Sequence, residues 1–523
     1  MGQPLANAPP VYSYQRRTPE DCLLRQIVLE QWPGLEQEIR EACGGRGLPE
    51  FIAKAVEKFR DCGLLARGFV RVLCRACGKE QLVAFSCKTR GICPSCDGKR
   101  MVEVAAHLVD SVIPAVPIRQ FVLTVPPELR QLLAWSAEFR RWALGAFMRA
   151  IEKHYVGQAR AEGLVKPRFA AISVMQRYDG ALRVFPHWHV LAADGVWHET
   201  QAGLRFWPAP QLYTFQTEIL LADIVKRVTR KAERCFAKRA DEEGNLRPGD
   251  PALAALLQHS LFGPQELERI TVPVPKPGPR LPGFRVKSKN CGDLDDFGLH
   301  AATRVAAVAR ERLEKLVRYI CRPAIAIKRL EAVGPFRVRI HFKAPRRDGA
   351  KAVVLSRRDL LVRVLAQIQL PRRPSLVYHG LWAPAAKRRA EIVPALGGRV
   401  EHNRRKKTAA QKDQRSEPAE QTASGAKRDA KAEERTSKLR WADCLKRAFF
   451  FDILQCPCGG RREVIAAIID TAVAEKILRH VGLWRSPQLD EVTEIRGPPE
   501  ELGPVFDQQD EDREPPPPVE WAA

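Results

Sequence analysis

The chain has 523 residues, 45% of them hydrophobic, so it is too long for one core and apolar enough to bury several; two to four domains are expected. Its 86 lysines and arginines against 61 acidic residues give a formal charge of +25, which points to a polyanionic partner, nucleic acid before an anionic membrane. No run of eighteen apolar residues occurs and the first seventeen residues lack the apolar block of a secretion signal, which argues against a helical membrane protein and predicts a cytoplasmic one.

Residues 1–20 hold four prolines and little periodicity, and are expected to be disordered. Helical spacing then runs through Leu24, Ile27, Val28 and Trp32, and again through Ile52, Ala55 and Phe59. Next come Cys74 and Cys77, then, after fifteen residues, Cys93 and Cys96. Two C-x2-C knuckles at that distance are the pattern of a four-thiolate zinc ribbon, with 81–85 alternating as a strand between them. Cys87 is a fifth thiol able to replace one of the four. Without a secretion signal, clustered cysteines read as ligands of a structural Zn2+ before disulfides. Lys99 and Arg100 make the ribbon basic and are candidate DNA contacts. Residues 21–110 are therefore expected to form a helical and zinc-ribbon domain.

A β-rich run at 119–125 is closed by two prolines and followed by a long helical stripe from Leu129 to Ile151. Strands are predicted at 169–175 and 184–191, joined through Tyr178-Asp-Gly180. This order predicts an α+β fold with an antiparallel sheet, over residues 115–395. In the second of those strands the two-residue period puts His187 and His189 on one face and Trp188 and Val190 on the other. A chain with 11 histidines supplies roughly 0.2 such pairs by chance, so the neighbours decide its meaning.

Residues 200–290 are less patterned, with a basic helix expected over 218–236 and an extended proline-rich loop after 272. A helix is predicted at 304–322, with Leu313, Leu316, Val317 and Ile320 as its buried stripe and Pro323 as its stop. Tyr319 lies at the stripe's edge, where its hydroxyl can reach a site. Alternation over 336–342 and 352–355, around Asp348-Gly349, predicts a hairpin with Arg337 and Arg339 on one face. A further helix is expected at 358–368. Residues 400–438 have the composition of a disordered basic linker, and the acidic proline-rich stretch 497–523 that of a disordered tail. Between them, 440–490 reads as a small C-terminal domain, in which Cys456 and Cys458 suit a structural turn at least as well as a metal.

Together these parts suggest DNA strand cleavage by a tyrosine. A phenol has an unperturbed pKa near 10 and needs help at neutral pH. Mg2+ or Mn2+ held by His187 and His189 would polarise the scissile phosphate. A third ligand is required, with Gln176 the first candidate and Asp179 and Asp194 behind it. No P-loop occurs, which fits a covalent intermediate that conserves bond energy.

The ordered motifs FPHWHVLAADGV (185–196), FGLH (297–300), RYICRP (318–323), YHGLWAP (378–384) and CPCGG (456–460) resemble those of rolling-circle transposases of the insertion-sequence ninety-one family, within the His-hydrophobe-His endonuclease superfamily. The ribbon is similar to their N-terminal zinc-binding domain, and the likeness runs from about residue 20 to 485. It implies a replication-initiator-like, ferredoxin- or RRM-like nuclease core. That core would cut and rejoin single-stranded DNA at mobile-element ends, on the bacterial nucleoid, through a 5′-phosphotyrosine. His187 and His189 match the metal pair and Tyr319 the nucleophile, with Arg322 counted among the DNA contacts. Two departures stand out. The positions four residues either side of Tyr319 are Lys315 and Pro323, where many members carry a second tyrosine, and the C-terminal cysteine motif is one residue short. Two other readings are a non-catalytic zinc-ribbon DNA-binding protein and a plasmid or phage replication initiator or relaxase.

Overall fold

The computed structural model describes residues 18–239, 245–246, 250–262, 272–273, 283–346, 349–369, 371, 374–393 and 454–485. Most of 1–20, the linker 400–438 and the tail from 497 lie outside them. The chain opens with helices α1 (Leu23–Ala42) and α2 (Glu50–Arg60), strands β1 (Phe69–Cys74) and β2 (Glu80–Ala84), and helix α3 (Pro94–Ser111). Then come β3 (Ile118–Thr124), α4 (Pro127–Trp135), α5 (Ala137–Ala161), β4 (Ala170–Tyr178), β5 (Val184–Ala193), and a hairpin of β6 (Gly195–Thr200) and β7 (Gly203–Pro208). After α6 (Thr214–Arg239), the two-residue β8 (Asn245–Leu246) and β9 (Val272–Pro273) flank α7 (Pro251–Phe262). They are followed by β10 (Arg285–Ser288), β11 (Cys291–Leu294), β12 (Phe297–His300) and β13 (Arg304–Val305). The next group is α8 (Arg310–Ile320), β14 (Leu330–Val333), β15 (Arg337–His341), β16 (Ala352–Ser356), α9 (Arg357–Leu365) and β17 (Leu376–Gly380). The last described stretch holds β18 (Arg462–Ile468) and α10 (Thr471–His480).

The fold is α+β with antiparallel sheets. Its largest sheet runs β10-β11-β12-β3-β5-β4-β17, with β13 also on β3. β5 is central and buried at every position, as expected of a strand covered on both faces. On one face Phe121, Leu123, Trp188 and Val190 meet the apolar stripes of α4, α5 and α6. On the other, Ile172, Val174 and Leu191 meet α3 and α8 through Leu108, Leu313 and Val317. The long helical stripe expected from Leu129 onward is two helices. Ser136 breaks it and caps the second, its Oγ accepting the Phe139 N–H at 3.2 Å. The helix expected over 304–322 is shorter at its start, because Arg304 and Val305 pair instead with Arg119 and Ile118 of β3.

The division at about residue 110 is not a division of cores. Leu24, Ile27 and Val28 of α1 share a cluster with Leu360, Leu361 and Leu365 of α9 and with Val338 and Ile340 of the small sheet β14-β15-β16. The C-terminal stretch likewise departs from expectation. Instead of closing on itself, β18 pairs antiparallel with β1, from Phe69 opposite Ile468 to Cys74 opposite Arg462, giving the order β18-β1-β2. Among the described residues, no helix is long and apolar enough to cross a membrane.

Candidate functional site

His187 and His189 stand side by side on the α8 face of β5, 0% and 2% exposed, with ring centroids 5.0 Å apart. The Nδ1 of His187 is 2.8 Å from the Phe185 carbonyl oxygen, so it donates there and leaves its Nε2 with a lone pair. The Nδ1 of His189 is 2.8 Å from the side-chain amide of Gln120. Both Nε2 atoms are buried without a hydrogen-bond partner. An unpaired buried polar atom costs on the order of 1–3 kcal/mol, so two of them on adjacent rings point to something the pair is built to hold. Burial pulls the His187 pKa down to about 4 and that of His189 well below the usual histidine value. Both rings are therefore neutral near pH 7, as metal ligation requires.

α8 brings Tyr319 to this pair. Its buried stripe of Leu313, Leu316, Val317 and Ile320 seats the helix on the sheet, and Tyr319, one position off that stripe, is half-buried with its ring edge-on to His189 at 6.2 Å. The Arg322 guanidinium lies 4.1 Å from the Tyr319 ring centroid and the Lys343 ammonium 5.8 Å. Lys343 lies two residues beyond the end of β15, so the expected basic hairpin reaches the site at its end. Gln176 sits opposite His187 in the β4–β5 ladder, and its Nε2 donates to the Ile320 carbonyl at 2.6 Å and to that of Tyr319 at 3.3 Å. It straps the last turn of α8 to the sheet.

The two carboxylates placed behind Gln176 as ligands are engaged elsewhere. Asp179 Oδ1 accepts the backbone N–H groups of Ala181 and Arg183, each at 2.9 Å, and its Oδ2 pairs with Arg183 Nε at 2.7 Å, closing the β4–β5 turn. Asp194 is buried among Arg119, Arg304 and Tyr155. Sequence reasoning passed over His300, which the register puts opposite Val122 of β3, itself opposite His189, so all three share a face. Both His300 nitrogens are buried and unpartnered, and burial lowers its pKa. The FGLH run was the available signal, though only as part of a motif series.

The cysteines regroup. Cys74 and Cys77 do not share a centre with Cys93 and Cys96. One group is Cys62, Cys87, Cys93 and Cys96, and the other is Cys74, Cys77, Cys456 and Cys458; in each, the Sγ atoms all lie within 4.8 Å of one another. Among the described residues no other three or more His, Cys, Asp or Glu ligand atoms meet that spacing. In the first group Cys62–Cys93, Cys62–Cys96 and Cys87–Cys96 are 3.6, 3.8 and 3.5 Å apart. Four thiolates at 2.3 Å from one zinc stand roughly 3.8 Å apart, so the set fits that ion. The reserve thiol Cys87 is a member, and the isolated Cys62 had no spacing to betray it. Gly91, in the loop of this group, is required: it has φ +85°, and a Cβ there would stand 2.3 Å from the Gln367 carbonyl oxygen.

Of the expected DNA contacts, Arg337 is exposed on β15, while Arg339 is bound to Glu331 at 2.8 Å. Lys99 pairs with Glu103 at 3.6 Å and Arg100 with Asp97 at 3.7 Å, each about a third exposed. Such surface pairs hold weakly and leave the cations able to exchange partners.

Two four-cysteine groups on a strongly basic α+β chain fit a protein that handles DNA, and the family comparisons name its class. Residues 28–125 match the family described as "Transposase zinc-binding domain", and residues 170–390 match the one described as "Putative transposase". The chain belongs to the insertion-sequence ninety-one type of transposase, with DNA as its substrate. Zinc is the metal of its N-terminal domain, and the first cysteine group lies wholly inside the matched segment. No curated protein and no solved structure matches the chain.

Proposed function

We propose that this transposase cuts and rejoins single-stranded DNA at the ends of its element, with Tyr319 as nucleophile on a replication-initiator-like core spanning 115–395. The observation that carries the reading is the pair of buried, unpartnered Nε2 atoms on His187 and His189 with Tyr319 edge-on beside them. Bound there, Mg2+ or Mn2+ would supply the charge that binds and polarises the scissile phosphate. The Tyr319 hydroxyl gives up its proton as its oxygen forms a bond to phosphorus and the bond to the 3′ oxygen breaks; the 3′ oxygen takes up a proton, leaving a 5′-phosphotyrosine and a 3′-hydroxyl. Arg322 and Lys343 flank the ring, where a phosphate and a developing phenolate both need cations. Reversal of the same step rejoins DNA without ATP. Two third ligands are open to the pair: Gln176, which would meet the ion through its side-chain oxygen while its nitrogen holds α8, and His300, which shares the face but would have to close on the pair, since the three imidazoles do not all lie within 4.8 Å of one another. Cys62, Cys87, Cys93 and Cys96 hold the structural zinc.

The test is a labelled single-stranded oligonucleotide carrying an element end. A covalent, protease-sensitive adduct should form only with Mg2+ or Mn2+ and disappear in His187→Ala. An adduct that forms undiminished in His187→Ala would overturn the assignment of the pair.

Gln120 has a positioning role in the same reading. For His189 to present its Nε2 lone pair, Nδ1 must carry the proton, so Gln120 has to turn its amide oxygen toward Nδ1; in the structure that oxygen is buried without a partner. Gln120→Leu is expected to weaken Mn2+ affinity by roughly 10–100-fold, as loss of such an orienting partner does. Calorimetric Mn2+ titration of the folded variant measures this, and unchanged affinity would assign Gln120 to packing alone.

A further inference from the structure

We propose that the second cysteine group is a zinc clasp that fastens the C-terminal segment 454–485 to the N-terminal domain. Two of its ligands, Cys74 and Cys77, lie in the matched zinc-binding segment; the other two, Cys456 and Cys458, follow both matched segments. Cys74 Sγ is 3.6 Å from Cys458 Sγ and Cys77 Sγ is 3.6 Å from Cys456 Sγ, the spacing of thiolates around one tetrahedral zinc.

Each half is a built knuckle. In the first, the Gly78 N–H donates to the Cys74 carbonyl at 2.9 Å and the Cys74 N–H to that of Lys79 at 3.0 Å. In the second, the Gly459 N–H donates to the Cys456 carbonyl at 2.9 Å and the Cys456 N–H to that of Gly460 at 2.8 Å. The knuckles meet closely: a Cβ on Gly460 would stand 2.8 Å from the Ala76 Cβ and 2.9 Å from the Cys74 Sγ. The short Cys-Pro-Cys spacing therefore still closes a turn, and that turn nests against the first knuckle.

Packing alone gives this segment little hold. Its shared core is Leu65, Phe69, Ala474 and Leu478, while Val464 and Ile469 of the same segment are 66% and 79% exposed. Units with so small a core rely on a disulfide or metal staple. The ladder of β18 on β1 runs straight out of the knuckles, since Cys74 pairs with Arg462, so a metal at the cysteines fixes the register of the strand.

Cobalt substitution of the full chain tests this, because thiolate-to-cobalt absorption reports sulfur-rich centres and not an imidazole site. The wild type should take up cobalt at two such centres. The double variant Cys456→Ser/Cys458→Ser should show half the absorption, with hydrogen exchange accelerated in β18 and α10 but unchanged in β3, β4 and β5. Cys93→Ser/Cys96→Ser should also halve the absorption yet leave β18 protected. A single sulfur-rich centre in the wild type, which needs no variant to fold, would overturn the proposal. So would β18 staying protected in Cys456→Ser/Cys458→Ser.

Discussion

Tyr319→Phe is expected to abolish the covalent DNA adduct while leaving the fold intact, a fall in strand cleavage of roughly 10⁴-fold or more, as for loss of other enzyme nucleophiles. The substitution removes one oxygen. The hydroxyl's interaction with Arg322 is lost, but the ring keeps its place, because the α8 stripe seats it and its ring contacts remain, with Arg322 above it at 4.1 Å and His189 at 6.2 Å. The nearest rival phenol is unsuited to the task. Tyr178 donates its hydroxyl to the Arg322 carbonyl at 2.7 Å, and burial pushes its pKa up to about 12. Tyr178→Phe should therefore keep the adduct, with at most a modest loss through a less firmly held Arg322. Adduct yield for the two variants, read on the same labelled oligonucleotide, decides the matter. Cleavage that survives in Tyr319→Phe and fails in Tyr178→Phe would transfer the nucleophile to β4.

How much of this was legible in the sequence depends on the range of the interaction. The facing of His187 and His189 follows from the two-residue period of a single strand, and the position of Tyr319 from the apolar stripe of a single helix, so both were readable. The structure then brings them together through a sheet and a helix that were also readable. His300 and Gln120 reach the site through strand register, which sets which residues of β12 and β3 face β5, and no local pattern encodes that. The cysteines make the same point more sharply. A C-x2-C knuckle is a local turn and shows in spacing, but which knuckle shares a metal with which is tertiary. Cys77 and Cys456 stand 379 positions apart in sequence, and a nearer pair of thiols supplied an equally good spacing. Among secondary elements, the β6–β7 hairpin and the short strands β10 to β13 were missed because runs of two to six residues, several of them in polar stretches, give little periodicity to detect.

Asp194→Asn is expected to cost about 3–5 kcal/mol of stability, the usual result of breaking a buried ion pair from one side. The carboxylate is 2% exposed and Arg119 4%. Asp194 accepts from Arg119 Nε at 2.8 Å and Nη2 at 3.1 Å, from Arg304 Nε at 2.6 Å and from the Tyr155 hydroxyl at 2.8 Å. Asparagine has the same shape, but it removes the charge and turns an N–H₂ toward groups that are all donors, leaving the Arg119 guanidinium buried and uncompensated. Burial alone would raise the Asp194 pKa, but Arg119, with Arg304 and Tyr155, outweighs it and holds the group below its ordinary 3.8. A depressed carboxylate contributes stability above the unfolded value of 3.8 and loses it as pH falls below that value through the lower folded pKa. The gap between wild type and variant should therefore be full at neutral pH and narrow in strong acid. The damage also has a direction. Arg119 Nη1 donates to the Ala301 carbonyl at 3.0 Å, the residue after His300, so a displaced guanidinium loosens the end of β12 that carries His300 on the face of the histidine pair. Thermal melts at neutral pH should thus fall by roughly 10 °C, at the 2–4 °C per kcal/mol typical of domains of 150–250 residues. Mn2+ affinity should fall with them even where the variant is fully folded. A melting point within a degree of the wild type would show that the arginines, not their carboxylate, organise this corner of the sheet.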